Sequence, residues 1–310
     1  MRRLLFLLFL SLVSLAAAAA PFKTVRVNDR VYALVGELGQ RSPENLGHNM
    51  TSGFIIADNG VVVVDTGGSK RDAKAIHSAI RQVTKKPIIW AIDTGGQDHR
   101  WLGNEYFRKL GVPIVASKAA VQDMRDRTAE QVGRARSLLG KQFAGTRPVY
   151  PGHSFAHRYK LPVRGVDIQL IYTGGGHTPG DIFVWLPKRR VAFTGDIVFV
   201  QRLLGLMPGM GFQWIKSLEY LRDDLRPAVI VPGHGHVTDL KEAMRDSYDY
   251  LVFLRDASRQ ALDNGAFDPV EASQGLDQSR FSYLANYDDL RFRSVNALNM
   301  AREVFAAAGM

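Results

Sequence analysis

The chain of 310 residues contains no cysteine. That excludes disulfides, cysteine-ligated zinc, iron–sulfur clusters and thiol nucleophiles. It also argues against a lipoprotein, whose lipidated cysteine follows the leader. Long runs of one charge are missing too. Lysine and arginine number 40 and aspartate and glutamate 30, a net charge of +10, and the longest basic run is Lys188-Arg189-Arg190. Basic residues scattered in this way do not indicate a nucleic-acid partner. Beyond residue 20 no apolar run approaches the ~20 residues of a membrane span. Low-complexity segments and short repeats are likewise lacking there. With 46% hydrophobic and 23% charged residues, the composition is that of a globular protein rather than a disordered, collagenous or coiled-coil one.

The first residues carry a recognisable address. Arg2 and Arg3 are followed by an apolar run, Leu4–Leu15, broken only by Ser11 and Ser14, and then by Ala16–Ala20. This is the order of a secretory signal peptide. Cleavage is expected near Ala20, which removes two arginines and leaves +8. The expected location is periplasmic or secreted, with no stable membrane insertion after cleavage. The expected organisation is a signal peptide over 1–20, a main domain over 21–260 and a helical C-terminal extension over 261–310.

The segment that follows mixes strands and helices. Thr24–Asn28 and Val31–Val35 flank a turn, and Asp58-Asn59-Gly60 separates Gly53–Ala57 from Val61–Asp65. Asn-Gly between two apolar runs is a strong hairpin signal. The valines 61–64 suit a strand buried on both faces. Ser69 is a candidate N-cap for a helix with Ala73, Ile76, Ile80 and Val83 on one face. Further strands are expected at Ile88–Ile92, Pro113–Ala116, Ile168–Tyr172, Ile182–Leu186, Val191–Gly195 and Ala228–Val231. Helices are expected at Trp101–Leu110, Ala119–Leu139 and Trp214–Leu225, from Leu240 onward, and at Asp288–Ala308. Strands and helices interleaved in both halves predict a layered α/β fold.

Three strands end in glycine-flanked motifs. They are Gly176-His177-Thr178-Pro179-Gly180-Asp181, Thr194-Gly195-Asp196, and Pro232-Gly233-His234-Gly235-His236. Glycine lets the chain turn sharply and present one side chain to a cleft. Two histidines and a carboxylate gathered at one sheet end could ligate zinc or iron.

These motifs, with Val64-Asp65-Thr66-Gly67 ahead of them, resemble those of the metallo-β-lactamase superfamily of metal-dependent hydrolases. The resemblance runs over roughly residues 24–250. It implies a four-layer αββα sandwich with the site at one edge of the two sheets. It also implies His177, Asp196 and His234 as metal ligands and Asp65 in a largely structural role. The family's Thr-His-x-His-x-Asp-His motif is altered here to Thr94-Gly95-Gly96-Gln97-Asp98-His99-Arg100, with Gly103-Asn104 following. Without a gap, Gly95 and Gln97 replace two histidines, His99 the aspartate and Arg100 the last histidine. A one-residue slip instead keeps Asp98-His99 as the Asp-His pair.

Either register leaves ligands for one ion rather than two. The expected cofactor is one zinc ion on His99, His177, Asp196 and His234, with iron or a metal-free site as alternatives. Asp98, His99 and Arg100 are the candidate catalytic residues. Arg100 could replace part of a metal's charge or bind a substrate carboxylate. Histidines restored at 95, 97 and 100 are expected to raise the capacity toward two ions. The expected activity is hydrolysis of an ester, thioester or amide carbonyl, β-lactams included, by a metal-bound hydroxide. The partner would be a small, anionic molecule. The alternative is a non-catalytic ligand-binding or accessory protein that keeps the fold. His48 is a weaker candidate for the cleft, His236 for support of His234, and His77, His153 and His157 for nothing beyond the surface. Phe281, Tyr283, Tyr287 and Phe292 are expected to pack together, with a lid as the alternative.

Overall fold

Alternation along two strands sets the layers of the computed structural model, which describes residues 20–310. In strand β4 (Val61–Val64), Val62 and Val64 face one core while Val61 and Val63 face another. In β10 (Ile182–Leu186), Ile182, Val184 and Leu186 join the first of these, and Phe183 and Trp185 turn to a third. Successive strand side chains point to opposite faces, so each strand is covered on both sides. The shared core lies between two sheets, and helices cover both outer faces.

The first sheet runs in chain order: β1 (Lys23–Arg26), β2 (Val31–Val35), β3 (Thr51–Ile56), β4, β5 (Ile88–Ile92), β6 (Ile114–Ser117) and β7 (His153–Phe155). Strands β1 to β4 form an antiparallel meander. From β4 onward the pairs are parallel, because helices carry the chain back between them. These are α1 (Lys70–Val83), the short α2 (Asp98–Trp101) and α3 (Asn104–Lys109), and α4 (Lys118–Leu139). Ser69 does cap α1, accepting from the Asp72 N–H. The second sheet has the order β12-β11-β10-β9-β8. It comprises β8 (Arg158–Lys160), β9 (Gln169–Tyr172), β10, β11 (Val191–Phe199) and β12 (Val229–His234), with α5 (Gly211–Tyr220) crossing between the parallel β11 and β12. This is the expected four-layer αββα sandwich.

Three local differences from the sequence reading bear on the site. The helix expected over Trp101–Leu110 is two helices, broken at Gly103, where a Cβ would lie 2.0 Å from the Thr66 carbonyl oxygen. Strand β11 does not stop at Gly195. Its pairing with β12 shifts register on both sides of that glycine, which sits at φ +48°. Such a bulge re-aims the next side chain, here Asp196. The third difference is at β7 and β8, two three-residue strands in a stretch that reads as loop; His153 and His157 are exposed there, as expected.

The chain closes with α6 (Leu240–Ala243), α7 (Asp249–Asp263), α8 (Pro269–Ser273) and α9 (Leu290–Ala307). This helical C-terminal region is continuous with the main core, since Ala297 and Met300 pack in one cluster with Phe183 and Trp214. No helix of the described residues is long and apolar enough to cross a membrane. The signal peptide read over 1–20 lies, but for Ala20, outside the described residues.

Candidate metal centre

Three side chains converge where the sheets meet. Asp196 leaves the β11 bulge, His234 ends the neighbouring β12, and His99 comes from α2 beyond β5. One ligand atom from each lies within 4.8 Å of the others. His99 Nε2 is 3.3 Å from Asp196 Oδ2, and His234 Nε2 is 3.2 Å from Asp196 Oδ1. Ligands on a tetrahedral zinc with bonds of 2.0–2.1 Å sit roughly 3.4 Å apart. All three residues are buried.

The proton count shows what this group lacks. His234 Nδ1 lies 2.8 Å from the Asn49 carbonyl oxygen, so that nitrogen carries the ring proton. Burial pushes the His234 pKa down to about 3, despite Asp196 beside it, so the ring is neutral. Its Nε2 lone pair therefore faces a carboxylate. Burial also disfavours an ionised Asp196, but Arg100 and His99 outweigh it and hold the carboxyl well below the usual range. His99 approaches the same carboxylate from the other side. Its two ring nitrogens face Asp98 Oδ1 at 3.4 Å and Asp196 Oδ2 at 3.3 Å, and buried Nε2 has no hydrogen-bond partner. A lone pair pointed at a carboxylate, as on His234, is relieved by a cation between them, and this donor set of two imidazoles and a carboxylate fits one divalent ion. His177 is poised alike. Its Nδ1 donates to the Gly205 carbonyl at 2.7 Å, leaving Nε2 as the lone pair, and burial lowers its pKa. It lines the same cleft as His99 and His234, a space of about 260 Å3, without joining the tight group.

The ungapped register is the one the geometry adopts, since His99 and Arg100 both reach Asp196 while Asp98 turns away to Arg41 and Arg134. Arg100 is fully buried. Its Nε and Nη2 donate to the two oxygens of Asp196 at 3.2 and 2.6 Å, Nη1 donates to Asp65 Oδ2 at 2.8 Å, and the Thr51 and Gly233 carbonyls take further bonds. Every arm is committed to protein, which corrects the expectation that Arg100 meets a substrate carboxylate. Its charge instead neutralises two buried acids. Asp98 is corrected too, from a catalytic candidate to a buried anchor. It accepts from Arg41 at 2.8 Å and Arg134 at 3.3 Å, and these charges outweigh burial and keep it ionised. Gln97 Oε1 is taken by Arg127 at 3.2 Å. A Cβ on Gly95 would lie 2.0 Å from Asp181 Oδ1, so a histidine there collides with a buried carboxyl. Restoring a histidine at 95 therefore requires the Asp181 carboxyl to move, an obstacle the sequence-based expectation did not include.

Asp65 meets the expected structural role, accepting from the Thr94 N–H at 2.8 Å, the Thr94 hydroxyl and Arg100. His48 does not line the cleft; it is buried against Asp72, with Nδ1 2.8 Å from Oδ1. His236 pairs with Glu242 at 2.8 Å and does not support His234. Half-buried His77 bonds the Tyr106 hydroxyl. The aromatic cluster divides: Phe281 is buried against Tyr250, while Phe292 lines the cleft. Sequence reasoning missed Asn49 and Gly205, which act through backbone carbonyls no side-chain pattern reveals. Arg41 and Arg202, which line the cleft, had no motif to mark them.

The model of the metallo-beta-lactamase superfamily matches residues 47–234. The chain belongs to that superfamily. Among curated relatives, the metallo-beta-lactamase type 2 of Elizabethkingia meningoseptica is 26% identical over 145 residues, covering 47% of this chain and 51% of that protein. The chain thus spans about half the length of that relative. Metallo-beta-lactamase IND-1 of Chryseobacterium indologenes is 22% identical over 230 residues, 71% of this chain and 86% of that one. Among solved structures, a metallo-beta-lactamase from Pontibacter korlensis superposes with a TM-score of 0.60 at 19% identity, covering 74% of this chain and 99% of that one. The sec-alkylsulfatase Pisa1 from Pseudomonas sp. reaches 0.69 at 17% identity, covering 91% of this chain and 50% of that one. At these identities the structural likeness is one of fold.

Proposed function

We propose that this superfamily member is an exported hydrolase that works with one divalent metal ion, zinc being the best match to its nitrogen-rich donors. The observation that carries the reading is geometric: His99 Nε2 and His234 Nε2 both face Asp196, at 3.3 and 3.2 Å, and buried His99 Nε2 has no hydrogen-bond partner. His99, His234 and Asp196 would hold the ion, with His177 presenting its Nε2 from the cleft wall. A bound divalent ion supplies an acidic water and polarises a carbonyl. The chain does the rest. Arg100 keeps Asp196 ionised and fixed. Phe199 and Phe292 give the cleft an apolar wall. Arg202 faces the cleft, 5% exposed, and its partners among the described residues are uncharged: the Leu38 and Gly39 carbonyls and the Asn286 amide. Burial and nearby Arg41 push its pKa down to about 10. A guanidinium in that state favours an anionic substrate, of ester, thioester or amide type.

The test is elemental analysis of protein purified without chelator, followed by hydrolysis of anionic and neutral substrates of each type. One equivalent of metal is expected, lost in His234→Ala together with any hydrolysis. Two equivalents, or none, overturn the one-metal reading. A second reading rests on Arg100, which satisfies Asp65 and Asp196 with no second ion and so lets the fold persist as a binding protein. Metal bound without turnover of any substrate type would favour it. For export, N-terminal sequencing of the periplasmic or secreted form is expected to begin near Pro21; full-length chain confined to the cytoplasm contradicts this.

A further inference from the structure

Four residues of α9 form one stripe: Phe292, Asn296, Asn299 and Glu303, at spacings of four, three and four. Such spacings place side chains on a single helix face. The first three meet the segment that leads from β11 into α5, and Glu303 meets the first turn of α5 itself. Asn296 accepts from the Leu206 N–H at 2.7 Å and donates to the Leu204 carbonyl at 2.7 Å. Asn299 donates to the Leu206 carbonyl at 2.8 Å. Glu303 accepts from the Gly211 and Phe212 N–H groups at 2.6 and 3.0 Å. It thereby caps α5, whose own N-cap residue supplies no side-chain bond. The two asparagines are buried, where polar groups are present for the bonds they make.

Between the two clamped leucines stands Gly205. Its carbonyl is the group that takes the Nδ1 proton of His177. A Cβ at Gly205 would lie 3.5 Å from Phe292 and 4.0 Å from His177 Cε1, so the three residues adjoin. We propose that the C-terminal helix is part of the site. Asn296 and Asn299 are positioning residues that fix the Gly205 carbonyl, and through it the tautomer and ring orientation of His177, while Phe292 closes the cleft on that side. The metal-related half of this inference rests on the function proposed above; the tautomer half does not.

The test uses full-length, metal-free, nitrogen-15-labelled protein, with the His177 signals identified by their loss in His177→Gln. In the wild type His177 is expected as the Nδ1–H tautomer. In an Asn296→Ala, Asn299→Ala double variant it is expected to move to a mixture, while His234, held by Asn49, keeps its signature. Zinc affinity, read by chelator competition, is expected to fall ten- to a hundredfold, the usual cost of losing a group that orients a metal-ligating histidine. Asn296→Asp keeps the bond from the Leu206 N–H and loses the one to Leu204. It provides a milder variant if the double one does not fold, with the same His177 change expected in smaller degree. An unchanged His177 signature in a folded variant overturns the proposal. A shifted signature in a protein that binds no zinc leaves the clamp standing and removes the hydrolase reading.

Discussion

Arg100 is the residue on which most of the centre's electrostatics turn. It joins two buried carboxylates and two carbonyls through five hydrogen bonds. Arg100→Ala is expected to cost about 3–5 kcal/mol in urea unfolding, since breaking a buried pair strands the remaining charge. Arg100→Lys is expected to recover little, because an ammonium cannot span both acids with a planar fork. A loss below 1 kcal/mol would mean the acids find other partners. Asp93 makes the opposite case. Its Oδ2 accepts from Asn104 at 2.7 Å, its Oδ1 is buried without a partner, and burial raises its pKa well above the usual value. A carboxyl raised in the fold adds stability below its unfolded pKa of about 3.9 and loses it as pH climbs through the folded value. Asp93→Asn, neutral at every pH, is therefore expected to gain on the wild type in urea midpoint between pH 5 and pH 8. A constant difference across that range contradicts the assignment. At this scale the sequence was informative about identity and poor about role. His99, Asp196 and His234 stood out because few residue types bind metal. Arg100 and Asp98 were misjudged because a charged residue beside a motif looks the same whether it faces solvent, substrate or a buried acid.

Elements carry the next lesson. Strands that are unbroken apolar runs, β2, β5 and β10, have the bounds expected of them, because apolar side chains on both faces are packed on both sides. The misread places are those where tertiary contact overrides pattern: the break at Gly103 under the Thr66 carbonyl, the bulge at Gly195, and the exposed β7 and β8. The β5–α2 turn is the decisive one, since Gly95 admits the Asp181 carboxyl where the family pattern has a histidine. Gly95→Ala is expected to destabilise by about 1–3 kcal/mol through overpacking, with metal content unchanged. The triple variant Gly95→His, Gln97→His, Arg100→His is expected to bind no second ion by elemental analysis and to melt well below the wild type. A folded triple variant with two equivalents of metal would show that Asp181 yields its place.

For the whole molecule, a layered α/β fold was legible from the interleaving of strands and helices, and its αββα form only from the resemblance to the family motifs, whereas the attachment of the last helices was not legible. Their side chains bond loop carbonyls and amides, and no spacing rule says which loop. One consequence concerns time rather than shape. Synthesis delivers the chain from its N-terminus, and domains fold largely in that order. Asp196 and His234 emerge long before Phe292, Asn296 and Asn299, so the cleft wall and the Gly205 anchor wait for α9. A nascent chain that has not yet delivered α9 would hold every residue of the metal group and yet have no finished cleft, so the arrival of that helix would be the step that brings the site into being.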